Sequence, residues 1–420
     1  MYDGAVWDPA MLWPPFRLLL DEGFVCRRRC KIFSKLQRDR ILCEASAHQG
    51  WQRREFLRAV GSSAGLSALS AFAPFRAMNL PRRQKAVVVT FGGGARDEET
   101  FAPDGQENIP CMLKELIPQG TFYSQVVNRG ILGHYVATAS LATGTYETWD
   151  NFALVAPSHP TVFEYFRHDL RRPATDAWVI APSNGFNRIG CSDNRSFGGN
   201  FGAEVLLPKH LLAAAMQGHA SADYEHLLSD NYESPIAVPT TPSSIGDIHR
   251  MAELLKLSFD DFRTHAKSLS SPDELSVYIA RTLMRQLSPS LLWITLHDID
   301  IAHSGAYSLY IDGIRRSDRL CGDLWRAIES DPEYAGRTTM FILPDFGRDS
   351  DLDAGGNGFQ HHRTGDALSR TTWMIVLGPG VRRNAVVDRP VDSLDLVPTL
   401  GAVLGFTPSL AKGRRLYEVL

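Results

Sequence analysis

Residues Lys85–Phe91 read Lys-Ala-Val-Val-Val-Thr-Phe, and three glycines, Gly92, Gly93 and Gly94, follow at once. An unbroken run of β-branched residues is typical of a strand that is buried on both faces, as in a parallel sheet. The glycines indicate a tight turn at the end of that strand, and as an alternative their backbone N–H groups could bind an anion. The stretch therefore predicts the first strand of an α/β fold and a loop at the sheet edge where ligands commonly bind.

Strand and helix patterns alternate along the rest of the chain. We predict strands at 122–128, 177–180, 291–296, 338–343 and 373–377, and helices at 108–116, 134–141, 161–170, 272–287, 307–330 and 395–404. This alternation predicts one open, mostly parallel sheet with helices on both faces. Residues 184–271, rich in Ser, Asn, Gly and His, interrupt the rhythm, and we interpret them as an inserted cap over the site.

The composition is that of a globular protein and excludes several classes of protein. The 420 residues are 44% hydrophobic and 22% charged, which is ordinary for a folded domain. A formal net charge of −3 argues against a nucleic-acid-binding protein, because such a domain is clearly basic. The longest apolar run near the N-terminus is too short for a bilayer, so we expect no stable membrane span.

The N-terminal segment carries an export pattern. Residues 52–58 read Gln-Arg-Arg-Glu-Phe-Leu-Arg, residues 59–73 carry no charge, and Ala71-Phe72-Ala73 is a candidate cleavage site. The pattern resembles a twin-arginine signal over residues 51–77, which implies the twin-arginine export machinery as a partner and a periplasmic or extracellular location. We interpret residues 1–50 as a mis-called start or an unusual leader, and residues 78–420 as the mature domain. An amphipathic helix with two arginines is the alternative.

Aspartates and histidines follow the fourth predicted strand. The stretch from His297 to His303 places Asp298, Asp300 and His303 on one loop, where such groups can bind one divalent metal ion. The pair His361-His362, on a later Gly-rich loop, offers a further ligand. The alternatives are a polar loop that caps the next helix and a pair of surface histidines.

Four further motifs, taken in order, resemble the alkaline-phosphatase superfamily, and its sulfatase-like branch in particular. They are Ser140-Leu-Ala-Thr-Gly-Thr-Tyr146, Trp373-Met-Ile-Val-Leu-Gly-Pro-Gly-Val381, Asp395-Leu-Val-Pro-Thr-Leu-Gly-Ala-Val-Leu-Gly405 and Gly413-Arg-Arg-Leu416. The resemblance covers residues 85–180 and 272–420 and implies an alkaline-phosphatase-like three-layer αβα fold. It also implies ester chemistry at two metal ions with a nucleophile derived from Ser, Thr or Cys.

The resemblance assigns one metal site to the residues already singled out. Its ligands are Asp300 or Asp298, then His303, and then His361 or His362. The family spacing is usually Asp-x-x-x-His, whereas two residues separate Asp300 from His303 and four separate Asp298 from His303.

The second metal site departs from the family pattern. Glycines stand at 92–94 where the family has an Asp, and Asp345-Phe346 replaces its Asp-His or Asp-Asn pair, so Asp345 is the one ligand that remains. The nucleophile position, nine residues before Thr143, is His134.

Arg96 and Arg348 follow two of the altered positions, and a guanidinium binds phosphate or sulfate through two parallel hydrogen bonds. We therefore hypothesise one divalent ion, with Zn or Mn favoured over Ca or Mg, and both arginines in place of the second ion. His134 is the candidate general base or nucleophile. The predicted function is an exported metal-dependent hydrolase or transferase of the sulfatase/phosphatase type, acting on a small-molecule or glycan phosphate or sulfate ester. A catalytically inactive relative with a binding or scaffolding role is the alternative.

Overall fold

A computed structural model describes residues 83–197, 199–217, 222–229, 242–362 and 365–419 of the chain. They belong to the larger of two compact units, which comprises residues 51–420. The predicted leader at 1–50 and the predicted export signal at 51–77 lie outside the described residues and stay predictions. None of the described helices combines the length and the apolar character that crossing a bilayer would require.

One nine-stranded sheet organises the described residues. Its strands are β1 (Lys85–Phe91), β2 (Thr121–Val127), β3 (Ala177–Ile180), β4 (Glu204–Leu206), β5 (Leu291–Leu296), β6 (Thr338–Pro344), β7 (Thr371–Leu377), β8 (Ala385–Val387) and β9 (Val391–Asp392). Their order is β4-β3-β5-β1-β6-β7-β2-β8, and β9 also pairs with β2. Among these strands only β7 runs antiparallel to its neighbours, β2 and β6, so the prediction of a mostly parallel sheet is confirmed.

Strand β1 lies in the interior of this sheet. β1 pairs in parallel with β5 on one side and with β6 on the other, and Val88 lies opposite Trp293 and Phe341. Every residue of β1 is buried because helices cover both faces of the sheet. Val87 and Val89 join the core on one face and Val88 joins the core on the other, since side chains alternate along a strand.

The helices begin and end largely where the sequence predicts them. They are α1 (His134–Thr143), α2 (Val162–Asp169), α3 (Pro208–Ala215), α4 (Glu225–Leu228), α5 (Pro242–Leu254), α6 (Phe259–Ala266), α7 (Pro272–Leu287), α8 (Tyr307–Ser330), α9 (Asp351–Ala354), α10 (Ala367–Arg370) and α11 (Leu396–Leu404). Side-chain caps fix several starts: Thr161 and Glu164 form a capping box at α2, and Ser271 accepts the N–H of Glu274 at α7. Helices α7 and α8 pack on one face of the sheet, and α1, α2 and α11 pack on the other.

The helix predicted at 108–116 lies at 110–119 and contains a π-helical stretch. Gln106–Asn108 is a 3-10 turn, Met112–Leu116 is a π-helical turn and Ile117–Gln119 is a last helical turn. The carboxylate of Asp318 on α8 accepts the N–H groups of Cys111 and Met112 at 2.9 and 2.7 Å. This tertiary contact supplies a cap that the local sequence does not contain.

The described part of the segment 184–271 extends the sheet and its core, and the prediction that the segment caps the site stays a prediction. Its described part contributes the edge strand β4, and α3 and α6 place Leu211, Leu212 and Phe262 in the same core as α7 and α8. None of its described residues lines the large cavity at the carboxyl edge of the sheet. Apolar side chains on both helices therefore anchor this segment at the edge of the fold.

Candidate metal centre

Loops from three neighbouring strands converge at the carboxyl edge of the sheet. β1 leads into residues 92–94, β5 into a 3-10 helix at Asp298–Ser304, and β6 into residues 345–348. Because β5, β1 and β6 are adjacent and parallel, the sheet delivers all three loops to the same place. Helix α1 adds His134 as its first residue.

Four side chains at this edge form a compact group of the metal-ligating type. One donor atom from each of His134, Asp300, His303 and His362 lies within 4.8 Å of the others. Nε2 of His303 lies 2.9 Å from Nε2 of His362 and 3.3 Å from Oδ1 of Asp300. Nε2 of His134 lies 3.2 Å from the same oxygen of Asp300. Asp300 and His134 are buried, and the other two histidines are half-buried.

The local helix geometry determines which aspartate of the loop belongs to this group. A 3-10 helix has three residues per turn, so side chains three apart in sequence lie on one face. Asp300 and His303 have that spacing, and so do His297 and Asp300, whose Nε2 and Oδ2 atoms lie 3.4 Å apart. Asp298 lies on another face, where Arg316 forms an ion pair with it at 2.8 Å. Asp298 is therefore not one of the converging donors, although the sequence offered it as a candidate ligand.

A buried carboxylate anchors the start of this 3-10 helix. Asp273, in the first turn of α7, accepts the N–H of His297 at 2.7 Å and the N–H of Asp298 at 2.9 Å. Burial and the neighbouring Asp298 carboxylate raise the pKa of Asp273 above its usual range. The interaction ties the loop that carries Asp300 and His303 to the helix layer.

Two further polar side chains orient the four donors. Oδ2 of Asp345 lies 2.8 Å from Nδ1 of His134. Arg348 is fully buried, and its guanidinium donates from Nη2 to Oδ1 of Asp300 and from Nε to the carbonyl oxygen of Gly94, both at 2.7 Å. Asp345 thus fixes the ring of His134, and Arg348 fixes the carboxylate of Asp300.

The three glycines leave the space that this arrangement needs. A Cβ on Gly93, whose φ is 112°, would lie 3.0 Å from Cβ of Asp300 and 3.1 Å from Nη2 of Arg348. A Cβ on Gly94 would lie 2.1 Å from the carbonyl oxygen of Phe346, which no side chain tolerates without a backbone shift. Close packing against the other two loops accounts for the glycines.

The pKa values of three of these side chains are shifted by burial and by their charged neighbours. Burial disfavours a charged imidazole at His134, but the carboxylates of Asp300 and Asp345 outweigh burial and raise the pKa of His134 to about 10. Burial acts to raise the pKa of Asp300, yet His134 and its other neighbours bring it well below the usual range. Burial, together with the charges of His134 and Arg348, lowers the pKa of His362 to about 2. An ionised Asp300 and a neutral His362 are the forms that bind metal ions.

The donor set fits one divalent metal ion. A tetrahedral ion with ligand bonds of about 2.0–2.1 Å holds its ligand atoms about 3.3 Å apart. Three of the six separations among the four donor atoms, 2.9, 3.2 and 3.3 Å, lie close to that value, and all six are at most 4.8 Å. Three imidazoles and one carboxylate are donors that zinc accepts readily, and imidazole suits several other transition metals as well.

Two other predicted site residues, Arg96 and His361, lie outside the group. Arg96 forms ion pairs with Glu99 and Asp351 and does not line the cavity. His361 has extended backbone, with φ −127° and ψ 157°, so it and the next residue project to opposite sides. Among the described residues, His362 is accordingly the member of the pair that reaches the other donors.

His297 is a site residue that the sequence analysis did not select. Its ring lies 5.4 Å from the ring of His134 and 5.7 Å from that of Phe186, edge-on in both cases. The sequence feature that could have identified His297 is its spacing of three residues from Asp300. That spacing is informative only once the loop is known to be a 3-10 helix.

A cavity of about 560 Å³ opens onto the group. Its lining includes three of the four donors, His134, His303 and His362, together with His297. The remaining walls come from residues 131–135 and 148–152, around the start and beyond the end of α1. A small organic molecule in this cavity would contact the donor atoms directly.

Comparison with known proteins returns solved structures, whereas no family model and no curated protein matches the chain. One similar structure is a protein of the alkaline-phosphatase superfamily from Vibrio parahaemolyticus, with 13% identity over 88% of this chain and 80% of that chain and a TM-score of 0.45. Another is the phosphonate monoester hydrolase of Silicibacter pomeroyi, with 12% identity over 80% and 76% of the two chains and a TM-score of 0.47. A third is a wild-type alkaline phosphatase, with 11% identity over 81% and 100% of the chains and a TM-score of 0.47. In these three comparisons the identity is at most 13% and the TM-score at most 0.47.

Proposed function

We propose that this protein holds one divalent metal ion through His134, Asp300, His303 and His362 and hydrolyses a phosphate or sulfate ester in the adjacent cavity. The observation that supports this most directly is the convergence of four donor atoms within 4.8 Å, beside a cavity that three of these side chains line. The ion would act as a Lewis acid that polarises an ester oxygen.

The chain's own residues prepare the donors for that role. Asp345 accepts a hydrogen bond from Nδ1–H of His134, so Nε2, on the side of Asp300, is the nitrogen that would lose its proton to bind the ion. Arg348 orients the Asp300 carboxylate through the hydrogen bond from its Nη2. Because Arg348 is fully buried, it supplies charge to the site but does not touch a substrate, so we assign it a positioning role instead of the predicted substrate clamp.

Water is the nucleophile in this proposal. His134 stands at the nucleophile position of the resemblance, but both of its ring nitrogens face carboxylates, those of Asp345 and Asp300. We therefore assign His134 a ligand role in place of the predicted role as base or nucleophile. Attack forms a bond from the water oxygen to phosphorus or sulfur, breaks the bond to the alcohol oxygen, and delivers a proton to the departing alcohol.

A non-catalytic relative that binds a metal ion and a ligand is the second candidate. Two observations favour it: a histidine replaces Ser, Thr or Cys at position 134, and none of the described residues that line the cavity is Lys or Arg. Such a protein would bind an ester without turning it over.

Elemental analysis of the purified full chain tests the ligand set. We expect about one ion per chain, lost in His303→Ala and in His362→Ala. The variant His361→Ala is the matched control, since it removes the neighbouring imidazole, and it should keep the ion. Two ions per chain, or a folded chain with none, would contradict the proposal.

Turnover of aryl esters separates the two candidate functions. Hydrolysis of p-nitrophenyl sulfate or bis(p-nitrophenyl) phosphate by the loaded chain, abolished in His303→Ala and retained in His361→Ala, would support the hydrolase. A folded, metal-loaded chain that hydrolyses neither of these esters nor p-nitrophenyl phosphate would favour the binding protein.

We further propose that the chain is exported through the twin-arginine route. The support is the sequence of residues 52–58 and the uncharged stretch that follows. Cell fractionation tests it with a variant in which Arg53 and Arg54 are both replaced by Lys. We expect the native chain in the periplasmic or extracellular fraction and the variant in the cytoplasm, and the same distribution for both would refute export by this route.

A further inference from the structure

The cavity beside the four donors has largely apolar walls. The apolar and aromatic side chains that line it are Ile131, Leu132, Tyr135, Trp149 and Phe152. Ile131 and Phe152 are 38% and 65% exposed, and Leu154 and Val155, next along the chain, are exposed as well. Large apolar side chains exposed together on a soluble domain mark a binding surface.

The wall that carries Trp149 and Phe152 is fixed to the start of α1. Oδ1 of Asn151 accepts the backbone N–H of Tyr135 at 3.0 Å. The rings of Tyr135 and Phe152 lie edge-on with their centres 6.2 Å apart. Because His134 is the first residue of α1, these contacts hold the apolar wall at a constant distance from the donor atoms.

The same cavity offers little compensation for negative charge. None of its described lining residues is Lys or Arg, and Asp150 adds a carboxylate. The buried cation of the site, Arg348, is engaged with Asp300 and Gly94 and has 1% exposure. A ligand with two negative charges would leave one of them without a counter-charge in a partly desolvated site, which is costly.

We infer that the cavity is a specificity subsite for the alcohol group of a singly charged ester, a sulfate monoester or a phosphodiester, and that this alcohol is aromatic or otherwise apolar. The inference rests on the proposed function, because it places the charged end of the ester at the four donors. The apolar walls of residues 131–135 and 148–152 then receive the organic end.

Equilibrium binding to the zinc-loaded full chain tests the subsite without requiring turnover. The probes are 2-naphthyl sulfate, which is singly charged and aromatic, methyl sulfate, which has the same charge and no ring, and 2-naphthyl phosphate, which is almost doubly charged at pH 8. We expect calorimetry to show 2-naphthyl sulfate binding at least tenfold more tightly than either of the others.

Variants of one exposed residue assign the effect to the apolar wall. Phe152→Ala should raise the dissociation constant of 2-naphthyl sulfate about tenfold and change that of methyl sulfate less than twofold, and Phe152→Leu should restore part of the loss. Tyr417→Ala is the control, since Tyr417 is 76% exposed and does not line the cavity. It should leave all three dissociation constants unchanged.

Several outcomes would overturn the inference. Equal binding of the two sulfates, or equal loss of both in Phe152→Ala, would exclude an apolar subsite, and tighter binding of 2-naphthyl phosphate would exclude the charge preference. The experiments distinguish failure of the proposed function from failure of this inference. If the probes bind as expected but no ester is hydrolysed, the proposed catalysis is refuted and the apolar subsite is supported. If esters are hydrolysed at rates that do not depend on their alcohol group, the apolar subsite is refuted and the proposed catalysis is supported.

Discussion

Replacement of Arg348 by Met should destabilise the metal-free protein and, at the same time, strengthen zinc binding. Met approximates the length of the arginine stem but removes the charge that faces Asp300 and the donor that faces the Gly94 carbonyl. Arg348 draws electron density from Asp300, so its loss makes that carboxylate a better ligand. In the metal-free variant the same carboxylate is left buried without its guanidinium partner.

The expected magnitude follows from these two contacts. Removal of one partner from a buried ion pair costs about 3–5 kcal/mol of unfolding free energy. With zinc bound, Asp300 keeps a cation, and the remaining loss is the hydrogen bond to Gly94, on the order of 1–2 kcal/mol. The difference of about 2–3 kcal/mol corresponds to zinc binding that is about 30- to 150-fold tighter in the variant.

Urea denaturation, once with a chelator and once with zinc, measures the free energy of unfolding. Competition against a chromophoric chelator measures the zinc affinity. Arg96→Met is the control, because Arg96 pairs with Glu99 and Asp351 away from the donors and should cost the same with and without zinc. Equal destabilisation of Arg348→Met in both conditions, or weaker zinc binding, would refute the reasoning that Arg348 acts as a fixed cation.

Three further predictions concern single side chains of the described fold. Asp345→Asn should weaken zinc binding about 10- to 100-fold with the fold intact, because the carboxylate makes the imidazole of His134 a stronger donor; chelator competition measures it. Gly94→Ala should prevent folding or lower the melting temperature sharply, since its Cβ would lie 2.1 Å from the carbonyl oxygen of Phe346; circular dichroism measures it. Burial and the charge of Arg337 lower the pKa of Lys85 to about 8, so between pH 8 and 9.5 the unfolded chain binds a proton that the folded chain has released. Stability should therefore rise with pH in that window, by at most about 1.4 kcal/mol per pH unit, and Lys85→Met should flatten the slope in urea titrations.

Each of these predictions has an outcome that contradicts it. Unchanged zinc affinity in Asp345→Asn would mean that the contact to His134 does not tune the ligand. A native-like Gly94→Ala would show that the loops at 92–94 and 345–348 are not in close contact. Gly246→Ala is its matched control, because nothing lies within 4 Å of a Cβ there. A pH slope that is identical with and without Lys85 would assign the effect to other groups.

Elements with strong local signals could be predicted from the sequence almost to the residue. The bounds of α7, β5 and α8 agree with the prediction because an N-cap at Ser271, a continuous apolar run and a long amphipathic pattern each define their ends locally. The helix predicted at 108–116 is present at 110–119, with its bounds shifted by two to three residues. Its first N–H groups are satisfied by Asp318, a residue more than 200 positions away, and no local pattern contains that information.

For the candidate site, too, the sequence predicts what depends on local spacing but not what depends on the folded backbone. Sequence spacing identified the loops whose side chains converge, but it could not choose between Asp298 and Asp300, because that choice depends on the three-residue period of a 3-10 helix. It also could not choose between His361 and His362, which depends on the extended backbone between them. Arg96 was selected for its position after the glycines, yet Glu99 at the next turn pairs with it.

The absence of a side chain at Gly93 makes room for the guanidinium of Arg348. A carboxylate at 93 would occupy the space between Asp300 and Nη2 of Arg348, where even a Cβ has only 3.0–3.1 Å. With glycine there, the guanidinium reaches Asp300 and brings a permanent positive charge into a buried place where the resemblance implies a second metal ion. A metal ion in that position could contact a substrate, whereas a buried guanidinium acts only through Asp300. In the proposed function the buried guanidinium therefore supplies positive charge without a point of substrate contact, which is consistent with a single ion and a singly charged ester.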